Sequence, residues 1–345
     1  MSDVLLVRLS AMGDLVQSLG AVASLRAARP QWRLTLVTQP EWAPLLQGVD
    51  GLHRVVTFAR RGGIGGVLAL RRTLRGLRFD HALDLQGNWK SAFVTRLAAT
   101  RDRVGMSGAW RQEPGSRVLL RRVIHCDADP HPARAAWELV KAVAPDAPFC
   151  LVRLAATAAE LEAEAGALRQ LGIDPARAFT AVVVTDPADP RALRSRLLGE
   201  LARRVPQPVA VLGPAEEAVR DADLQGIGLP VVLRHRRGEL RRLVALGALL
   251  AAVGGEVAGP DQGASHVLMA AGASGRVWFG SQDPHRTAPP RAVACSRRDP
   301  PACQPCRARR CANPAGVVCM DFGLDEAVAV PSRLPPVGEG DVGAP

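Results

Sequence analysis

Tyrosine is absent from the chain, lysine occurs only at positions 90 and 141, and the aromatic share is 4%. There is no zinc-finger helix and no RNP-type aromatic pattern, so nucleic-acid recognition is not expected despite a formal net charge of +11. Long apolar runs are missing too. The nearest, 243–255, is too short to span a bilayer and reads as a buried helix. The N-terminus is apolar but broken by Asp3, Arg8 and Asp14. It has neither the basic leader nor the clean apolar stretch of a secretion signal, and a cytoplasmic location is expected. Cysteine is sparse except in one place. Cys126 and Cys150 stand alone as small apolar residues, whereas five of the seven crowd between Cys295 and Cys319. In a cytosolic chain such a cluster points to metal or redox chemistry more than to a disulfide framework.

What is present suffices for packed cores. A chain of 345 residues, 48% hydrophobic, favours two domains. The positive charge points to anionic partners such as nucleotides, phosphorylated glycolipid or a membrane surface. Abundant Arg, Ala, Gly and Pro beside scarce Lys and Tyr is the imprint of GC-rich coding. That accounts for part of the arginine and leaves the charge in place.

Apolar runs with strand character alternate with helical spacing. Val4–Leu9, Leu34–Val37, Val55–Phe58 and His81–Leu85 read as strands. Leu15–Ala28, Ile64–Leu77 and Asn88–Ala98 read as helices. The pattern lapses from Ala144 to Thr180, where prolines and an Ala/Glu-rich stretch intervene. It then resumes with strands at 181–185, 209–212, 231–233, 256–258 and 277–279. Helices are expected at 191–204, 216–223, 239–253 and after Ser265. Such alternation predicts parallel sheets in two doubly wound halves. A cleft between two such halves is a common small-molecule site.

Four strand-to-helix junctions carry polar residues: Arg8-Leu-Ser-Ala-Met-Gly-Asp14, the stretch 81–91, Gly259-Pro-Asp-Gln-Gly-Ala-Ser-His266, and Trp278 to Pro284. Asp261 sits where a strand end meets a helix start, the usual ligand crevice of an open α/β sheet. Free N–H groups of the helix that follows suit an anion, and Gly263 permits close approach. Capping that helix is the other role open to Asp261.

In their order and spacing these motifs resemble the ADP-heptose:lipopolysaccharide heptosyltransferase family, glycosyltransferase family 9. The resemblance rests on the 8–14 loop, on Asp84-x-Gln-Gly-x-x-Lys-Ser91 and on Asp261-x-Gly-x-x-His266. Arg111-Gln-Glu-Pro114 and Cys303-x-Pro-Cys306 with Cys319-Met320 add to it, and it runs from Val4 to Val330. It implies a GT-B fold, two Rossmann-like doubly wound domains facing across a cleft. Residues 1–150 would bind the acceptor and 151–179 would link. Residues 180–330, with a Cys-rich loop at 295–319, would bind the nucleotide sugar, and 331–345 would be a disordered tail.

The implied reaction is inverting transfer of a heptose from ADP-heptose to a lipopolysaccharide-core acceptor, an anionic glycolipid at the inner face of the inner membrane. By resemblance Asp14 is the base that takes the acceptor proton; capping the helix at Leu15 is its other role. Ser10, Arg60 and Lys90 fall on the acceptor side, where Lys90 is either a phosphate or carboxylate contact or plain helix surface. Arg191, Glu217, Asp261, Gln262, Gly263 and His266 fall on the donor side, with Glu217 at the nucleotide ribose. No cofactor is implied for the catalysis. The spacing of Cys303, Cys306, Cys311 and Cys319 suits a structural zinc, with reduced thiols in a loop as the alternative.

The chain departs from the family pattern at Asp186-Pro-Ala-Asp-Pro190, and Arg191 stands where the family has lysine. Asp186 and Asp189 would repel a diphosphate if they faced it, and Arg and Lys are not equivalent at a tight site. Gln262 replaces the motif's threonine. These changes keep two alternatives open: another nucleotide sugar, or a catalytically weak binding or scaffold paralogue. Finally, Arg60, Arg61, Arg71, Arg72, Arg75 and Arg78 flank an apolar set in 64–77. That is the pattern of a basic amphipathic helix on an anionic membrane, or of an ordinary surface helix.

Overall fold

The computed structural model describes residues 2–59, 62–107, 113–125, 131–213, 219–234 and 239–335. It divides into two compact units, Met1–Arg153 and Leu154–Arg333, with 334–345 grouped with the first.

In the first unit the strands are β1 (Asp3–Val7), β2 (Arg33–Thr38), β3 (Leu52–Thr57), β4 (His81–Asp84), β5 (Asp102–Met106) and β6 (Arg122–Ile124). They form one parallel sheet in the order β3-β2-β1-β4-β5-β6. Its helices are α1 (Met12–Ser18), α2 (Gly20–Ala28), α3 (Gly63–Arg75), α4 (Trp89–Leu97) and α5 (Pro132–Lys141). Strand β1 reads as a continuous apolar run because both faces of a parallel sheet are covered. On one face Leu5, Val7 and Leu9 pack with Leu70 and Leu74 of α3 and with Val94 of α4. Asn88 caps α4 by accepting from the Ser91 amide, and the Ser91 hydroxyl accepts from the Asn88 amide in return. The first strand leaves towards one edge and the chain returns through β4 to the other. The β1–β4 boundary is therefore the switch point, where the carboxyl ends of the strands open a crevice.

The second unit repeats the plan. Its elements are α6 (Ala158–Gln170), β7 (Thr180–Val184), α7 (Ser195–Arg204), β8 (Pro208–Leu212), α8 (Asp221–Gly226), β9 (Val231–Arg234) and α9 (Leu240–Ala252). They continue as β10 (Glu256–Pro260), α10 (Gly263–Ala270), β11 (Ser274–Phe279), α11 (Pro284–Thr287), β12 (Ala292–Arg297) and β13 (Ala327–Val330). The sheet order is β13-β12-β11-β10-β7-β8-β9, parallel except for β13. Its switch point is the β7–β10 boundary. Gly247 brings α9 against α10 main chain to main chain, for a Cβ there would stand 2.4 Å from the Leu268 carbonyl oxygen.

Several boundaries differ from the sequence reading. The helix predicted from 191 begins at Ser195, because 186–194 is taken up by turns. The helix predicted after Ser265 starts at Gly263. The helix predicted over 216–223 is seen as α8, Asp221–Gly226, its predicted start lying outside the described residues. Strands β5, β6, β12 and β13 and helix α5 are additional elements.

Within the stretch read as a linker, α6 forms behind a Thr157–Glu160 capping box and packs on α9. Arg241 clamps both oxygens of Glu160, at 2.8 and 2.6 Å, and Arg242 does the same to buried Glu164. The Arg241 hydrogen bonds hold the Glu160 carboxyl down at about 2, from an ordinary 4.5. A carboxyl depressed in the folded state contributes stability that is complete above its unfolded value and drains away as pH falls towards the folded one. Glu160→Gln is therefore expected to flatten the loss of stability between pH 4.5 and 2, relative to the natural chain, in urea titrations of the second unit. Parallel acid limbs in the two proteins would refute this role. The predicted tail falls largely on 336–345, outside the described residues; 331–335 carry no helix or strand.

Candidate active site

At the first switch point, the loop after β1 and the loop after β4 are tied together. Arg8 leaves the end of β1 buried, and its Nη1 donates to the Leu85 carbonyl at 2.6 Å. Its Nη2 meets the Asp14 carboxylate at 2.5 Å. The Leu9 amide donates to Gln86 Oε1, and Gln86 Nε2 donates to the Ser10 hydroxyl at 3.2 Å. Asp84, buried at the end of β4, accepts from the amides of Gln86 and Gly87 and so fixes the turn into α4. Asp14 is the third residue of α1, whose N-cap is Ala11. It is thus not the cap, and its side chain keeps 37% of its surface open. A carboxylate aimed by a buried guanidinium and still reachable from solvent is what a positioned proton acceptor requires. Lys90 stands exposed in the first turn of α4, with no carboxylate partner among the described residues. Arg60, Arg61, Arg111 and Gln112 lie outside the described residues. Glu113, from the same predicted motif, accepts from the Trp89 amide at 2.6 Å.

The second switch point collects the predicted donor-side residues. Asp261, buried just past β10, accepts from His266 at 2.9 Å and from the Thr287 hydroxyl at 2.8 Å. The cap position of α10 is Gln262, and no side chain caps it. Asp261 is therefore not a helix cap, and the first-turn amides of α10 receive no capping side chain. Gly259 lets this corner close up, since a Cβ there would lie 2.7 Å from Val183 and 2.9 Å from the Ser265 hydroxyl.

Arg191 donates to both oxygens of Asp189, Nε at 3.0 Å and Nη2 at 2.7 Å, and its Nη1 reaches the Asp261 carbonyl at 3.2 Å. Gln262 adds a bond to Asp189 at 3.1 Å. Burial pushes the Asp189 carboxyl up, but the bonds and charge of Arg191, with the Gln262 amide, outweigh it and leave the carboxyl below its ordinary value. The repulsion expected of Asp189 is thereby compensated inside the protein, at the cost of engaging the cation expected for a phosphate. Asp186 turns its carboxylate back onto the Ala188 amide. Glu217 lies outside the described residues.

The cysteine loop brings its predicted thiols together. Cys303, Cys306, Cys311 and Cys319 line one hollow together with Pro190 and Ser281. Cys311 donates to the Gly316 carbonyl and Cys303 accepts from Asn313. Burial first, and the neighbouring thiols next, push the Cys319 thiol up to about 11. Among the described residues no group of three or more His, Cys, Asp or Glu side chains is arranged to hold a metal ion. No disulfide links the described cysteines.

Two contributors carry no assigned role in the sequence reading. Arg8 is the one charge in an otherwise apolar strand end, a signal that could have marked it. Thr287 reaches Asp261 from a single helical turn 26 residues on, and nothing in the local sequence announces it.

Two Rossmann-like units, each with polar loops gathered at its switch point, define the GT-B class of fold. A family profile described as Glycosyltransferase family 9 (heptosyltransferase) matches residues 67–153. Over that quarter of the chain the sequence is similar to glycosyltransferase family 9, the family its motifs resemble. A solved glycosyl transferase family 9 structure from Veillonella parvula superposes with a TM-score of 0.72 at 14% identity, covering 85% of this chain and 84% of that one. E. coli heptosyltransferase WaaC with ADP gives 0.64 at 22% identity, covering 85% and 92%. E. coli ADP-heptose lps heptosyltransferase II gives 0.65 at 20% identity, covering 85% and 90%. These likenesses establish the fold. In sequence, the chain is 25% identical over 126 residues to Lipopolysaccharide core heptosyltransferase OpsX of Haemophilus influenzae. That match spans 36% of each protein. No helix of the described residues is long and apolar enough to cross a membrane.

Proposed function

We propose that the chain is an inverting glycosyltransferase that moves a heptose, or a related sugar, from ADP-heptose to a lipopolysaccharide-core acceptor on the cytoplasmic side of the membrane. The observation that carries this reading is the open Asp14 carboxylate held by buried Arg8 at the first switch point. The acceptor hydroxyl oxygen bonds to the anomeric carbon as the bond from that carbon to the diphosphate oxygen breaks. The hydroxyl proton passes to Asp14. The ADP leaving group needs aligned donors, which the uncapped first turn of α10 supplies, with Arg191 joining them where a diphosphate displaces its grip on Asp189. Asp261, braced by His266 and Thr287, fixes the loop that presents them. Lys90 and Ser10 are the acceptor-side contacts, and no cofactor takes part.

A second reading, a weakly active binding paralogue, is favoured by the engagement of Arg191 with Asp189. Calorimetric and thermal-shift titration with ADP, UDP and GDP separates the two, run on the natural chain and on Asp189→Asn. Under the proposal ADP alone stabilises the protein, by about 2.7 kcal/mol at a hundredfold excess over Kd. Removing the Asp189 charge then tightens ADP about three- to tenfold, since one negative charge near the diphosphate is gone. No response to any nucleotide in either protein favours the paralogue, and a response to UDP or GDP in place of ADP names another donor.

A further inference from the structure

Helix α3 covers the first sheet with Leu70 and Leu74 and leaves a second stripe facing solvent. Ile64, Leu68, Arg71 and Arg75 recur at helical spacing along that stripe. Ile64 is 81% exposed and Leu68 56%, and both arginines are exposed. The helix contains no acidic residue, and among the described residues no carboxylate pairs with Arg71, Arg72, Arg75 or Arg78. Neighbouring α4, on the same face of the sheet, exposes Trp89 at 47% and Phe93 at 39%. Large apolar side chains left in water beside uncompensated cations mark a surface with a partner.

We infer that α3 lies against an anionic phospholipid bilayer, with Ile64 and Leu68 entering the headgroup boundary and Arg71 and Arg75 held by lipid phosphates. Charge complementarity selects this occupant. A second copy of the chain meeting this face across a two-fold axis would set arginines against arginines. A nucleic acid would satisfy the arginines and leave Ile64 and Leu68 without a role. A lipid surface uses both halves of the stripe, and exposed tryptophan suits its interface. The inference deepens the proposed function by naming the surface on which a lipid-borne acceptor would be met. It does not depend on the identity of the donor.

Co-sedimentation of the full chain with vesicles tests it, using phosphatidylcholine alone and phosphatidylcholine with phosphatidylglycerol. Binding is expected only to the anionic vesicles and should weaken with salt. It should fall at least about tenfold for Arg71→Glu with Arg75→Glu. It should fall several-fold for Ile64→Ser with Leu68→Ser, and it should survive Arg177→Glu with Arg309→Glu, the same charge change on exposed residues of the second unit. Equal binding to neutral vesicles, binding untouched by the α3 variants, or loss in the control pair would overturn the inference. So would indifference to the Ile64 and Leu68 changes, or capture by duplex DNA in preference to vesicles. ADP titration of the same variants reads the transferase proposal separately.

Discussion

Replacing Asp14 by asparagine is expected to lower the transfer rate by about 10²–10⁴ while the chain stays folded and still binds ADP. The amide matches the carboxylate in size, and its oxygen can still accept from Arg8. What it cannot do is take a proton from the attacking hydroxyl. Arg8 loses a charged partner at one end but keeps its bond to the Leu85 carbonyl, so the loop after β1 retains its anchor to the end of β4. A stability loss of about 1–3 kcal/mol is the expected accompaniment. Single-turnover kinetics on purified Asp14→Asn, with circular dichroism and ADP binding as controls, is the measurement. A rate within a few-fold of the natural chain would remove Asp14 as the base.

Arg242→Ala is expected to cost the second unit about 3–5 kcal/mol, because it strands a buried carboxylate. The Glu164 side chain is only 2% exposed, and Arg242 supplies two of its hydrogen bonds, at 2.8 and 3.2 Å. Arg242 is itself partly open to solvent, so the lower end of that range is the better guide. The companion test is Glu164→Met with Arg242→Met, where both charges go together. Burying two apolar side chains in place of a buried pair is close to neutral, so the double variant should recover most of the loss. Urea titration of all three proteins decides it. A loss below about 1 kcal/mol for Arg242→Ala would show that water or another group already serves Glu164.

The doubly wound plan was legible because parallel strands buried on both faces leave unbroken apolar runs, as in Val4–Leu9 and Ala181–Thr185. Helix α6 was not, because its Ala/Glu composition resembles a solvated spacer. What makes it part of the core region is pairing with Arg241 and Arg242, about 80 residues away, which no local pattern encodes. The candidate site divides the same way. Ser10, Asp14 and the 261–266 turn lie within contiguous motifs at strand ends, so sequence placed them at the two switch points. Arg191 was found but its partner was misjudged. A sequence shows Asp189 two residues away as a repulsive neighbour, and only the turn at 186–190 reveals it as the carboxylate that Arg191 grips. The cysteine spacing placed four thiols in one loop, and the structure gathers Cys303, Cys306, Cys311 and Cys319 around one hollow.

Gly247 has a consequence at a distance. Where two helices touch through their main chains there is no layer of flexible side chains to absorb a displacement. A shift of α9 against α10 would therefore meet main chain directly, in the helix that follows the turn beginning at Asp261. The second unit is thus built like a lever without slack, and the turn that begins at Asp261 inherits the stiffness of a clamp formed on the far side of α9.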